Sequence, residues 1–342
     1  MYKNPRRITE QFNWVALVKE AITRRQEEGL NQKKHAALAG VSIPTMISFE
    51  KAEKTISIEK VLAILDVVNM VEKSQFLSNN KLDNFALQAN AKWFELTKNL
   101  GQDSLSAKHP FGYVSYSFRI IGSLKKIDNT HFRKILNKVA ATKYSGWSPF
   151  WIPTTTAIEP YVTDNEIIEC WLGKKYERSL TATASTTDFW WASKEGYMYL
   201  QRGYEEDSNE DSLQPNEIFD IFIPVRLAAE VICYANRLAN EMIHHDVKSS
   251  IELQVRYTGL QGRVLANWSD PMNPLYDRKR ISNSNIANMS VTFSLDEIYE
   301  PLHESVTKIV YLLLKELYAK FSFYDLQYEF IETKLKRLFS QK

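Results

Sequence analysis

Gly29-Leu30-Asn31-Gln32-Lys33-Lys34-His35-Ala36-Ala37-Leu38-Ala39-Gly40-Val41-Ser42-Ile43-Pro44-Thr45-Met46-Ile47-Ser48-Phe49-Glu50 is spelled as two short helices around a tight turn. Asn31 suits the cap of the first helix, because its short side-chain oxygen accepts an amide proton from the first turn. Gly40 supplies the turn, since glycine enters left-handed backbone space without strain. Ser42 caps the second helix, and Pro44 falls in its first turn, where a missing N–H costs little. Ser57 repeats the cap ahead of Val61, Leu62, Leu65 and Val68 on one helical face. Upstream, Trp14, Leu17, Val18, Ala21 and Ile22 follow the i, i+3, i+4, i+7, i+8 stripe of an amphipathic helix.

Residues 12–71 together resemble the lambda-repressor-like (Xre/Cro-type) helix-turn-helix family. Leu30, Gln32, Ala36, Gly40-Val41-Ser42, Thr45, Glu50 and the helix from Ser57 to Leu65 fall in that family's order and spacing. The resemblance implies a sequence-specific transcriptional regulator that binds double-stranded DNA as a homodimer, on half-sites about one helical turn apart. It places Gln32 on the DNA backbone, and Ser42, Ile43, Pro44, Thr45 and Ser48 on base edges or phosphates. Lys33, Lys34 and Lys51 flank the helix that enters the groove, where basic side chains bind phosphates without sequence preference.

The sequence departs from the family pattern at several positions. His35 stands where a buried leucine is usual, Ile43 and Pro44 replace polar or basic readers, and Ile47 is apolar. Few hydrogen-bonding groups remain for direct readout, although thymine methyls still offer apolar contact. Two readings stay open: a reader of methyl groups and DNA shape, or a protein-interaction module (an antitoxin or defence-system adaptor) using Ile43, Met46 and Ile47. Fold alone does not choose between them.

Charge leans the same way as the motif. Residues 1–73 carry 12 Lys and Arg against 9 Asp and Glu, so the net +2 of the 342-residue chain originates there. The length suits a short reader domain followed by a larger globular region. No 18-residue apolar run spells a membrane helix, and the first twelve residues lack the apolar core of a signal peptide. Cys170 and Cys233 are too few for a disulfide framework. A cytoplasmic protein with no membrane partner is the expectation.

The expected organisation is a helix-turn-helix domain at 1–73, a linker and connecting helix at 74–101, and a larger domain at 102–342. Residues 72–84 are polar and read as the linker, with Asn129 capping a later helix at 129–141. Leu82, Phe85, Ala89, Trp93, Leu96 and Leu100 recur at three- and four-residue steps, a helix that docks on the larger domain. Strands are expected at 113–121, 167–172, 188–192, 197–201, 218–223, 250–257, 264–268 and 289–295. Lys194-Glu195-Gly196 suits a hairpin turn. Further helices run from Pro224 to 244, over 302–321 and over 324–339. The elements do not alternate strictly, so the fold class is α+β: an all-α N-terminal domain, then an α+β domain with a mixed or antiparallel sheet. Leu302, Val306, Ile309, Leu313, Leu317 and Phe321 form an apolar face that serves either a dimer or the core.

The larger region also resembles the module found behind AlbA-type (Schlafen-like) domains in bacterial proteins. That resemblance rests on Phe118-Arg119-Ile120-Ile121-Gly122-Ser123-Leu124 and the stretch from Gly146 to Thr154, with Ile168 to Gly173, Arg202-Gly203-Tyr204 and Tyr257 to Arg263 adding to it. It implies nucleic-acid-linked regulation, in defence against mobile elements. Aromatic residues make 12% of the chain, and Trp147, Trp151 and Trp190 crowd one interval with Arg119 and Arg202 within reach in sequence. They build either a pocket for a small-molecule or protein effector or a plain core. Enzyme signatures fail: there is no phosphate-binding glycine loop, and Ser305-Val306-Thr307-Lys308 lacks the companion motifs of acyl-serine enzymes. His244-His245-Asp246 has no further ligand group, and the acidic run from Glu205 to Asp211 reads as a solvated loop. No catalytic residue, metal or cofactor is expected; a nucleotide-binding enzyme in the C-terminal region is the remaining alternative.

Overall fold

The computed structural model describes residues 13–53, 55–68, 70, 80–101, 108–145, 148–173, 184–207, 216–244, 248–275, 279–323 and 326–340. The chain divides into two compact units, Met1–Asn84 and Phe85–Lys342.

The first unit holds α1 (Trp14–Glu27), α2 (Gln32–Leu38), α3 (Ile43–Glu50) and α4 (Ile58–Val67). Asn31 Oδ1 accepts from the Lys34 amide at 2.8 Å, and Ser42 Oγ from the Thr45 amide at 3.3 Å, so both expected caps form. Gly40 takes φ +64° between them. Ser57 occupies the cap position of α4 but makes no capping bond with its side chain, contrary to the sequence expectation. Val18, Ala21, Ala36, Met46, Phe49, Val61, Ile64, Leu65 and Val68 close one small core, with Trp14, Leu17 and Ile22 packed against it.

The second unit is built on a seven-stranded antiparallel sheet of order β2-β3-β4-β5-β1-β7-β9. Its strands are β1 (Tyr113–Ile121), β2 (Tyr161–Val162), β3 (Ile168–Trp171), β4 (Phe189–Ala192), β5 (Tyr197–Gly203), β7 (Ser250–Tyr257) and β9 (Ala287–Ser294). A separate parallel pair joins β6 (Ile218–Asp220) to β8 (Val264–Ala266). Period-two alternation sends Val114, Tyr116, Phe118 and Ile120 of β1, and Ile251, Leu253, Val255 and Tyr257 of β7, to the same face. There they pack with α6 (Asn129–Ala140), α7 (Ile223–Met242), α8 (Leu302–Ala319) and α9 (Tyr328–Ser340). On the opposite face, α5 (Lys81–Thr97) lays Ala89 and Trp93 over Trp171, Phe189, Trp191 and Tyr199. The docking role expected for that helix is therefore seen. No helix among the described residues is long and apolar enough to cross a membrane.

Several local expectations change. Residues 81–84 already belong to α5 rather than to a linker, and 71–79 lie outside the described residues. Asp128, not Asn129, caps α6, accepting from the His131 amide at 2.7 Å. Val306, Ile309, Leu313, Leu317 and Phe321 are buried in the main core, so that face of α8 is not free to form a dimer surface. The acidic run starts as structure: Asp207 pairs with Arg263, and Glu206 is buried.

Candidate nucleic-acid interface

Three polar junctions fix α3 within the first unit. Glu50, at its C-terminal end, lies 3.1 Å from the Arg25 guanidinium of α1 and accepts from Gln32 Nε2 of α2 at 2.8 Å. One carboxylate thus ties three helices, and Arg25 neutralises a charge that would repel phosphate. The chain leaves α3 through Ala52 at φ +56°, a conformation that costs a non-glycine residue about 1–2 kcal/mol. Trp14 holds that turn, its indole donating to the Ala52 carbonyl at 2.8 Å and its ring meeting Phe49 edge-on at 5.7 Å. His35 is buried, its Nε2 2.9 Å from the Ile64 carbonyl in the last turn of α4, where helix carbonyls lack amide partners. A leucine could not make that bond, which accounts for the departure at this position.

The two sides of α3 differ sharply in exposure. Met46 and Phe49 are buried, whereas Ser42, Ile43, Pro44 and Ile47 are exposed and Thr45 and Ser48 half-buried. Lys33, Lys34 and Lys51 are exposed. The hydroxyls of Ser42 and Thr45 bond each other at 2.9 Å, so part of their capacity is already used. Gln32 has one amide hydrogen committed to Glu50 and one left for a phosphate oxygen. All nine residues expected at a DNA surface therefore lie at exposed or half-buried positions, but their polar readout capacity is small. Leu38, 59% exposed, is a surface apolar residue that the motif did not single out. Only the position of α2 relative to its core exposes it; its spelling resembles that of a core residue. Met46 is withdrawn from the alternative protein-binding surface, because it is fully buried.

Of the five residues proposed for an effector pocket, the four described ones do not converge on one site. Trp147 lies outside the described residues. Trp190 is buried among core side chains and donates its indole N–H to the Trp151 carbonyl at 3.0 Å, so these two are neighbours. Arg202 is buried in a two-point pair with Asp188, at 2.8 and 2.6 Å. Arg119 is on the other sheet face, paired with Glu252. A cavity beside Arg202, also lined by Tyr204, Glu206, Phe219, Leu227 and Tyr257, holds about 10 Å³, room for one water molecule. Both arginines are thus committed to carboxylates, Arg202 in a buried pair and Arg119 in a partly exposed one. Among the described residues no cluster of three or more His, Cys, Asp or Glu could hold a metal ion; His245 and Asp246 lie outside them.

No family model matches the chain, and no solved structure does. Among curated proteins, an uncharacterized HTH-type transcriptional regulator of Haemophilus influenzae is 39% identical over 62 residues. Those residues are 18% of this chain, and the chain spans 63% of that relative's length. The match supports a helix-turn-helix-like region at the N-terminus, in keeping with α2, the Gly40 turn and α3. Nothing in the comparisons supports the resemblance of the larger unit to the AlbA-associated module, or the defence role that rested on it.

Proposed function

We propose that this chain is an Xre-type, sequence-specific DNA-binding transcriptional regulator, with α3 as its reader and the larger unit as a sensing or dimerisation part. One observation carries the reading. A helix capped by Ser42 and anchored at its C-terminal end through Glu50 and Ala52 presents Ser42, Ile43, Pro44, Thr45 and Ser48 on its outer side, with exposed Lys33, Lys34 and Lys51 around it. The partial relative, an HTH-type transcriptional regulator, points the same way. The reading assigns no catalysis to the chain and places it in the cytoplasm, where DNA is reached.

Genomic fragments captured by the purified chain near physiological salt, read by sequencing, should share a motif. On that motif, Thr45→Ala with Ser48→Ala is expected to weaken binding by about 1–3 kcal/mol and relax specificity. Footprints identical to the parent would remove α3 from the reader role. Lys33→Ala with Lys34→Ala should weaken binding to all sequences alike and flatten its salt dependence by about one to two phosphate contacts. An unchanged salt slope would take both lysines off the backbone.

A second reading is favoured by the exposed apolar group Leu38, Ile43 and Ile47, at 59%, 43% and 37% exposure. Those side chains suit a protein partner as well as thymine methyls. Capture of neighbouring gene products together with silence in gel shift would select that reading.

A further inference from the structure

We propose that β9 and the helix packed along it, α8, form the seam of a symmetric homodimer in which two sheets join edge to edge. The inference goes beyond DNA binding and is tested without DNA.

β9 ends the sheet, and its free side is legible from the hydrogen-bond phase. Leu295 N–H donates to the Ser249 carbonyl at 3.2 Å, one step beyond the paired residues Ser250 and Ser294. Antiparallel ladders alternate, so Ala287, Met289, Val291 and Phe293 bond β7, and Asn288, Ser290 and Thr292 turn their N–H and C=O groups outward. The side chains of these last three are exposed, and none of their backbone groups has a partner among the described residues. Such an edge recruits another strand unless it is blunted by charge, proline or a bulge. Ala287-Asn288-Met289-Ser290-Val291-Thr292-Phe293-Ser294 carries no charge, no proline and no glycine, and its register with β7 is unbroken over all eight residues. At the opposite edge, β2 is only two residues long.

The helix over this edge identifies the occupant as a second copy. A two-fold axis perpendicular to the sheet at Ser290 pairs Asn288 with Thr292 of the second copy, and Ser290 with itself. That axis keeps both helix layers on one side and brings two α8 helices together antiparallel. Glu304, Lys308, Leu312, Glu316 and Lys320 follow at four-residue steps on and just past α8, one ridge of its surface. All five are exposed, and the four charged ones make no ion pair among the described residues. Reversed against itself about Leu312, the ridge sets Glu304 opposite Lys320 and Lys308 opposite Glu316. A self-complementary surface of this kind is what a two-fold interface requires. Leu312, 43% exposed, sits at its centre.

Sedimentation velocity of the full chain, from about 1 to about 100 µM, should show a monomer–dimer equilibrium. Ser290→Pro removes an outward N–H without touching a sheet bond, and edge strands tolerate proline there. It should raise the dimer dissociation constant at least about tenfold. Lys308→Glu should weaken the dimer, and adding Glu316→Lys should restore it by re-creating the complement. This charge-swap pair carries the test if the proline variant fails to fold. A chain that is monomeric throughout, or a dimer indifferent to both the proline and the charge reversal, overturns the proposal.

Discussion

Arg263→Ala is expected to destabilise the second unit by about 3–5 kcal/mol, the cost of leaving one partner of a buried ion pair alone. The guanidinium is fully buried, and all five of its N–H donors are used. Nε donates to the Gly259 carbonyl at 2.8 Å; one terminal nitrogen donates to Asp207 at 2.9 Å and to the Ile218 carbonyl at 2.8 Å. The other donates to Asp207 at 2.6 Å and to the Phe111 carbonyl at 2.8 Å, and the plane lies 4.5 Å from the Tyr204 ring centre. Two of the accepting carbonyls, those of Phe111 and Gly259, come from segments whose backbones cross closely. A Cβ on Gly259 would lie 2.2 Å from the Phe111 oxygen. Arg263 therefore clamps that crossing to the 3-10 turn at Glu205–Asp207 and to β6. Arg263→Lys keeps the charge but has three donors and no planar fork, so it should recover little. By contrast Arg119→Ala, which breaks a partly exposed pair with Glu252, should cost about 1 kcal/mol or less. Urea unfolding followed by tryptophan fluorescence would measure all three. A loss for Arg263→Ala no larger than that for Arg119→Ala would refute the clamp.

These pairs also mark the limit of what the sequence discloses. Helix ends in the first unit are local chemistry, so Asn31, Gly40 and Ser42 announce themselves within a few residues. Strands β1 and β7 are equally legible, because every second residue must face the helix layer. Where two neighbours share a chemistry, spelling fails. Asp128 and Asn129 both suit a cap, and only the backbone path selects the first. Met46 and Ile47 are both apolar, yet one is core and the other surface. The two residues of β2 are too short a run to carry a period. Arg202 finds Asp188 across a strand pair, and Arg263 finds Asp207 across 56 residues, so neither pairing is written in the local sequence and Arg202 reads as ligand-facing until its partner is placed. For the candidate DNA surface, residue types were legible, but the side-chain bonds that reduce their readout capacity, Ser42 to Thr45 and Gln32 to Glu50, were not.

Glu206→Gln is expected to make the second unit more stable at alkaline pH and to change little in acid. Glu206 is 4% exposed; one oxygen accepts from the Asp220 amide at 2.9 Å, and the other has no partner among the described residues. Burial pushes its carboxyl up from 4.5 to about 8; the Asp220 amide and the Arg263 charge oppose that rise, and the Asp220 charge adds to it. In the unfolded chain the group loses its proton near pH 4.5, while the folded chain holds it until about pH 8. Between those values the folded state binds the extra proton, so rising pH works against it by up to roughly 1.4 kcal/mol per unit. Below pH 4.5 both states are protonated and the group is neutral to stability; above about 8 the penalty is complete. Glutamine keeps the uncharged shape and removes the titration. The urea midpoints of parent and variant should therefore nearly coincide close to pH 4.5 and diverge as pH rises, to several kcal/mol near pH 9. A gap that stays constant across that range would mean the carboxyl does not titrate in the folded unit, and a gap that opens toward acid would reverse the assignment.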